Sequence, residues 1–252
     1  MKLNVSSNAT DVAGRIRALG NSGRTAAARA LTATAKNDVQ PAIKQEMRRA
    51  FDRPTNYTLN ATFLKVANRD NLEARVWLKD NPSGKGTPAD QYLAPDIFGG
   101  DRRQKGMEKA LQAARLMPAG WVAVPAGGAA LDGNGNVKRS QIVQILSQLR
   151  AQLGSGFESR ASGSARSNRT IARQGVKYFA LPRPSRGLAA GVYMRRKVGT
   201  GSVIRPVFLF VARAGYRPIF KFFEVGEKAA RSAFPGHFDR EIARAIDAAR
   251  LR

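Results

Sequence analysis

The chain contains no cysteine. That excludes a disulfide framework, thiolate zinc sites and a cysteine nucleophile, and it fits a reducing compartment. There is a single histidine, His237. No histidine pair is available for zinc, and a Ser-His-Asp triad would have to use this one residue. Its place beside Pro235-Gly236 at an expected helix start reads as a capping or surface role. Acids are sparse, 18 in 252 residues. Asp70, Glu73, Asp80, Asp90, Asp96 and Asp101 are spread out. Asp96 and Asp101 flank Phe98-Gly-Gly with no partner motif, so metal-nuclease and general acid–base chemistry have few candidates. No stretch approaches the roughly 18 apolar residues of a membrane helix. The N-terminus MKLNVSSNATDVAG lacks the apolar run of a signal peptide. The chain therefore reads as cytosolic when made, without a cofactor or metal, and non-enzymatic.

Two short motifs fail on spacing. Asp132-Gly-Asn-Gly-Asn136 starts like a calcium loop, but Val137 stands where the loop glycine is needed and no Glu occupies its twelfth position. It reads as a tight turn leading into the next helix. Gly127-Gly128 and Gly133-x-Gly135 lack the Gly-Lys-Ser/Thr of a phosphate loop and the GxGxxG of a dinucleotide site.

What the chain has is positive charge. It carries 43 Lys+Arg and a formal net charge of +25. Such a chain repels itself and calls for a polyanionic partner, either nucleic acid or an acidic protein surface. Arginine suits bidentate pairing with phosphate or carboxylate. The candidate contact residues are Arg48, Arg49, Arg102, Arg103, Arg195, Arg196 and Lys197, joined by Arg160, Arg166, Arg169 and Arg173 of a Gly/Ser/Arg-rich stretch over residues 154–175. That stretch is expected to be a mobile loop or one ordered by a partner. No helix-turn-helix, zinc-finger or RNP pattern is present, which argues against sequence-specific readout.

Apolar residues make up 43% of the chain, enough for a core. The spacing predicts a short helix over 9–19, with Val12, Ile16 and Leu19 on one side. A longer helix over 24–51 follows an N-cap at Ser22, with Leu31, Val39, Ile43, Met47 and Phe51 inward and a possible kink at Pro41. Residues 61–67 and 72–78 predict a hairpin about Asn68-Arg-Asp-Asn71, its inward face left open between Phe63 and Leu64. Residues 80–88 read as loop. Helices are expected over 104–117 and 140–153, with a strand at 121–124 between them. Three strands follow at 176–181, 191–195 and 206–211, the last an apolar run fit for a central place in a sheet. Two helices end the chain, 220–234 stopped by Pro235 and 238–251.

The last third resembles a family. Lys177-Tyr-Phe, Gly191-Val-Tyr-Met-Arg-Arg196, Ile204-Arg-Pro-Val-Phe-Leu-Phe-Val211, Tyr216-Arg-Pro-Ile-Phe-Lys-Phe-Phe223 and Phe234-x-x-x-Phe238 look like tailed-bacteriophage minor tail proteins of the lambda protein Z type. They are also similar to the broader tail-completion and neck proteins. The Ala-rich basic helix over 25–51 with its hairpin, and Asn136-Val-Lys-Arg-Ser-Gln-Ile-Val-Gln-Ile-Leu146, fit the same pattern. The resemblance implies an α+β fold, a small mostly antiparallel sheet flanked by a long N-terminal helix and C-terminal helices. Residues 1–80 and 176–252 would form the core, and 81–175 an insertion. It further implies a virion component near the head–tail junction. Such a component forms a ring of six or twelve copies around a DNA channel and contacts portal, head-completion or tail proteins. It supplies no catalytic residues. A nonspecific nucleic-acid-binding protein is the first rival, and a DNA-processing nuclease the second. The loops over 80–103 and 154–175 are the expected segments for ordering on assembly.

Overall fold

The computed structural model describes residues 2–5, 9–81, 86–149 and 175–250, with side chains from residue 20 up to 248 except residue 21. The 154–174 part of the Arg-rich stretch, with Arg160, Arg166, Arg169 and Arg173, lies outside the described residues, as do the side chains of Val12, Ile16 and Leu19. In chain order the elements are β1 (Lys2–Val5), α1 (Ala9–Thr34), a π-helical segment (Ala35–Val39), α2 (Gln40–Ala50), α3 (Asn56–Leu59), β2 (Thr62–Lys65), β3 (Ala74–Leu78), α4 (Ala89–Tyr92) and α5 (Ala94–Phe98). There follow β4 (Gly100–Asp101), α6 (Gly106–Ala113), β5 (Val122–Pro125), α7 (Arg139–Gln148), β6 (Val176–Leu181), β7 (Gly191–Val198), β8 (Gly201–Val211), β9 (Gly215–Tyr216) and α8 (Phe222–Arg250). The fold is α+β, with antiparallel sheets and a long helix toward each end of the chain.

The chain divides into two compact units, Met1–Gly99 with Arg217–Arg252, and Gly100–Tyr216. This corrects the expected partition. The strands over 176–211 do not join residues 1–80. They pair with β5 in a sheet of order β5-β8-β7-β6 and share a core with α6 and α7. The physical reason is register: Val122–Pro125 pairs with residues 208–211 of β8, so the supposed insertion supplies an edge strand of that sheet.

In the first unit the predicted helical stripe is buried. Leu31 is 6% exposed, and Val39, Ile43 and Met47 are fully covered. Gly20 breaks α1 with φ +59°, ψ −143°, which separates the short leading helix from the long one. The chain passes through a π segment before Pro41, where the Gln40 N–H donates to the Ala35 carbonyl five residues back. Proline lacks an N–H and crowds the preceding turn, and the widened π turn takes up that strain. The hairpin forms with Phe63 opposite Trp77 and Leu64 opposite Val76. Val76 and Leu78 are buried while Phe63 is 51% exposed, so Leu64 marks the inward face. Phe63 and Trp77 pack on the outer face, ring centroids 4.8 Å apart. The tetrad turns as predicted, the Asn68 Oδ1 accepting the N–H groups of Asp70 and Asn71. Strand β1, not expected from the sequence, pairs with β3 on the side away from β2. Residues 89–98 are the short helices α4 and α5, with Leu93 and Pro95 buried, which corrects the expectation of a loop across 80–103.

A second correction concerns the C-terminus. Pro235 does not stop a helix; it sits inside α8. Proline removes one hydrogen bond, but Phe234 and Phe238 one turn apart are both buried in the core with Phe222. Aromatic burial at that spacing holds the helix through the defect.

In the second unit, α6 and α7 cover one face of the sheet. Leu111 and Ile145 are fully buried against Val192, Phe208 and Phe210. The buried Gln141 of α7 accepts the Ala130 N–H and donates to the Gly128 carbonyl, tying the preceding loop to the helix. The Asp132 turn forms, its Oδ1 accepting the N–H groups of Asn134 and Asn136.

Candidate basic interface

Among the predicted basic residues, Arg102 is not a surface cation. Its side chain is 12% exposed and that of Glu108 is fully buried, and the two meet bidentately at 2.5 and 2.9 Å. Arg102 also donates to the Ala123 carbonyl. Glu108 accepts the N–H groups of Lys105 and Ala123, so its carboxylate is saturated. Burial pushes the Glu108 carboxyl up, but the Arg102 guanidinium and the two backbone donors outweigh burial and hold it below its ordinary range. This pair joins the start of α6 to β5. Glu108 also caps α6 from its third position by accepting the Lys105 N–H, but Lys105 has no acceptor to complete a capping box, so the sequence carries little signal for the pair. Arg103, its neighbour, is exposed.

On α2, Arg48 and Arg49 are exposed. Arg49 grips Glu46 through two hydrogen bonds of 2.7 Å, and its guanidinium draws the Glu46 carboxyl below its ordinary range. His237 is not a helix cap. Its Nε2 lies 2.7 Å from the Asp38 Oδ2 and its Nδ1 2.8 Å from Arg240, so it ties α8 to the π segment. Among the described residues no group of three or more His, Asp and Glu is placed to hold a metal ion, and no helix is long and apolar enough to cross a membrane.

Arg195, Arg196 and Lys197 lie on a projecting hairpin. β7 and β8 pair in register from Met194 opposite Arg205 to Val198 opposite Gly201. Every residue from 195 to 205 is exposed. The β6 side bonds β7 as far as the Lys197 N–H, which donates to the Gly175 carbonyl, and the β5 side bonds β8 as far as the Pro206 carbonyl, which accepts the Gly128 N–H, so among the described residues the end of the hairpin extends past both neighbours. Gly199 at φ +57° supplies the first position of the two-residue turn, a conformation that glycine takes freely. Val198, Val203 and Ile204 are 57%, 43% and 39% exposed along this arm. The Arg195 guanidinium lies 5.6 Å from the centroid of the Phe179 ring, which itself stacks on Tyr193.

The charge follows the same division. Gly100–Tyr216 holds 20 Lys and Arg against 4 Asp and Glu. Residues 159–223 contain 14 Lys and Arg and no acid at all. Asp101 is engaged by Arg213 at 3.0 Å and Glu108 by Arg102, so neither is available to the arm.

No protein-family model matches the chain, and no curated protein and no solved structure matches it.

Proposed function

We propose that the chain is a structural, non-enzymatic subunit of a tailed-bacteriophage particle, a tail-completion, neck or minor tail protein. It assembles as a homo-oligomeric ring at the head–tail junction or in the tail. It is made in the host cytoplasm and resides in the virion. It works by shape and charge, meeting acidic surfaces of portal, head-completion or tail neighbours and, secondarily, the DNA that passes through the ring. The observation that carries this reading is the β7–β8 arm, an exposed, cation-rich hairpin held out from a firmly packed sheet. A protein that folds on two cores of its own and still presents an unpaired basic ribbon is built to engage something else. The pattern of strands and aromatic residues resembling minor tail proteins supports the same reading.

The test is composition and assembly. Mass spectrometry of purified phage particles is expected to find the chain in stoichiometric amounts, and light scattering of the purified protein to find a ring-sized oligomer that grows with concentration. A chain absent from particles and monomeric at every concentration would overturn the proposal.

A further inference from the structure

We infer that the β7–β8 arm is a contact for double-stranded DNA that seats in a groove of the duplex. Strand alternation divides the cations of the arm between its faces. Arg195 and Lys197 lie on one, and Arg196 and Arg205, which sits opposite Met194, on the other. A flat acidic protein surface would engage one face of such a ribbon and leave the other charged and unpaired. A nucleic-acid groove is bounded by two rows of phosphates, and the major groove, about 12 Å wide, admits a two-stranded β-ribbon. Cations on both faces then meet both rows at once.

Three further observations agree. Lys177 stands directly opposite Arg195 on the neighbouring strand, a like-charge pair that destabilises a sheet unless an anion lies between them. No carboxylate pairs with Arg195, Arg196, Lys197 or Arg205 among the described residues. The side chains toward the tip are Val198, Thr200, Ser202 and Val203, small groups that fit a groove floor, and the arm carries no Asn or Gln for adenine recognition.

The inference deepens the assembly reading by naming one partner, and rests on it only for the presence of DNA beside the chain. Its test uses the purified full chain and a fluorescent random-sequence duplex of about 20 base pairs, titrated by anisotropy between about 50 and 200 mM salt. The triple variant Arg195→Ala, Arg196→Ala, Lys197→Ala removes three cations. It is expected to weaken binding and to lower the slope of log affinity against log salt by about 2.7, at about 0.9 per phosphate contact. Arg29→Ala, Lys36→Ala, Lys228→Ala removes the same charge from exposed positions of the other unit and is expected to leave the slope unchanged. On the wild-type chain, duplex is expected to protect Lys197 from an amine-reactive label and to leave Lys36 reactive, a readout that needs no variant. Equal slopes for the two variants, or an unprotected Lys197, would overturn the inference. So would wild-type protein that ignores duplex but binds poly-glutamate through the arm, which would assign the arm to an acidic protein. Particle composition tests the assembly reading separately, so either can fail alone.

Discussion

The two units handle charge in opposite ways. The first, Met1–Gly99 with Arg217–Arg252, holds 14 acids against 23 Lys and Arg and pairs many of them locally. Glu46 meets Arg49, Glu227 meets Arg231 and Glu241 meets Arg244, each within one helical turn. The second unit has 4 acids and places Glu108 inside, where it anchors a helix to a strand. The first unit is a helical packing unit with a laced surface. The second is a sheet whose surface charge is left open. The net +25 is therefore no uniform coating; it concentrates where the arm projects.

The comparison breaks most sharply at the internal pair. Replacing Glu108 by Ala strands a largely buried guanidinium, and replacing Arg102 by Ala strands a buried carboxylate. Each is expected to cost about 3–5 kcal/mol, read as a fall in melting temperature, whereas the double replacement Arg102→Met with Glu108→Leu recovers only part of the loss, because the Ala123 N–H loses its buried acceptor. If the single variants melt like wild type, the pair is not what holds α6 to β5. The pH dependence has a sign. The Glu108 carboxyl is held below its ordinary value of 4.5, so its contribution is present above about pH 4.5 and is lost as pH falls through the folded value. Asp96 in the first unit runs the other way. Burial raises its carboxyl above the ordinary 3.8, so the charged form carries a penalty that grows as pH rises through the folded value. Asp96→Asn is expected to stabilise at pH 7, and the gain to vanish near pH 3. Thermal melts across pH check both signs.

These sites also show where sequence reading stops. The stripe Leu31, Val39, Ile43, Met47 was legible because a single periodicity decides which side chains face inward. The β7–β8 hairpin was legible as two strands but not as an arm, because its length past β5 and β6 depends on where two other strands end. Arg102 read as surface because Arg usually is, and its partner Glu108 becomes buried only when β5 folds over it. Pro235 read as a stop because local propensity disfavours it, while the burial of Phe234 and Phe238 that overrides propensity is tertiary. The partition failed for the same reason: β5 comes from the segment expected to be an insertion, and strand pairing across more than eighty residues leaves no local signal.

A smaller effect tests the sheet itself. A methyl added at Gly191 would lie 2.3 Å from the Phe208 carbonyl oxygen. Backbone must shift to admit it, so Gly191→Ala is expected to cost about 1–3 kcal/mol and to loosen the β7–β8 pairing at the root of the arm. Hydrogen exchange should speed at Val192 and Phe208 while the first unit keeps its protection. At the far edge, the Gln148 side chain donates to the Val176 carbonyl at 3.3 Å and accepts the Tyr178 N–H at 2.9 Å. Among the described residues no strand pairs with β6 on that side, and Gln148 takes the place of one. Gln148→Ala is expected to cost about 1 kcal/mol and to bare an edge that promotes association in light scattering.

The smallest expected effect returns to the first unit. Arg49 has two hydrogen bonds to Glu46, in number much like the Arg102–Glu108 pair, yet its side chain is 67% exposed; that of Glu46 is 6% exposed, and the Lys221 backbone N–H still serves its carboxylate when Arg49 is removed. Water solvates the guanidinium whether or not the pair forms, so the Coulomb gain is largely cancelled. Arg49→Ala should therefore lower the melting temperature by less than about a third of the drop seen for Arg102→Ala. Both arginines grip a carboxylate through two bonds, and Arg102 also donates to the Ala123 and Arg103 carbonyls, so the ratio reports burial together with those bonds. A ratio near one would mean that the open surface of the second unit and the laced surface of the first differ in charge count but not in how charge supports the fold.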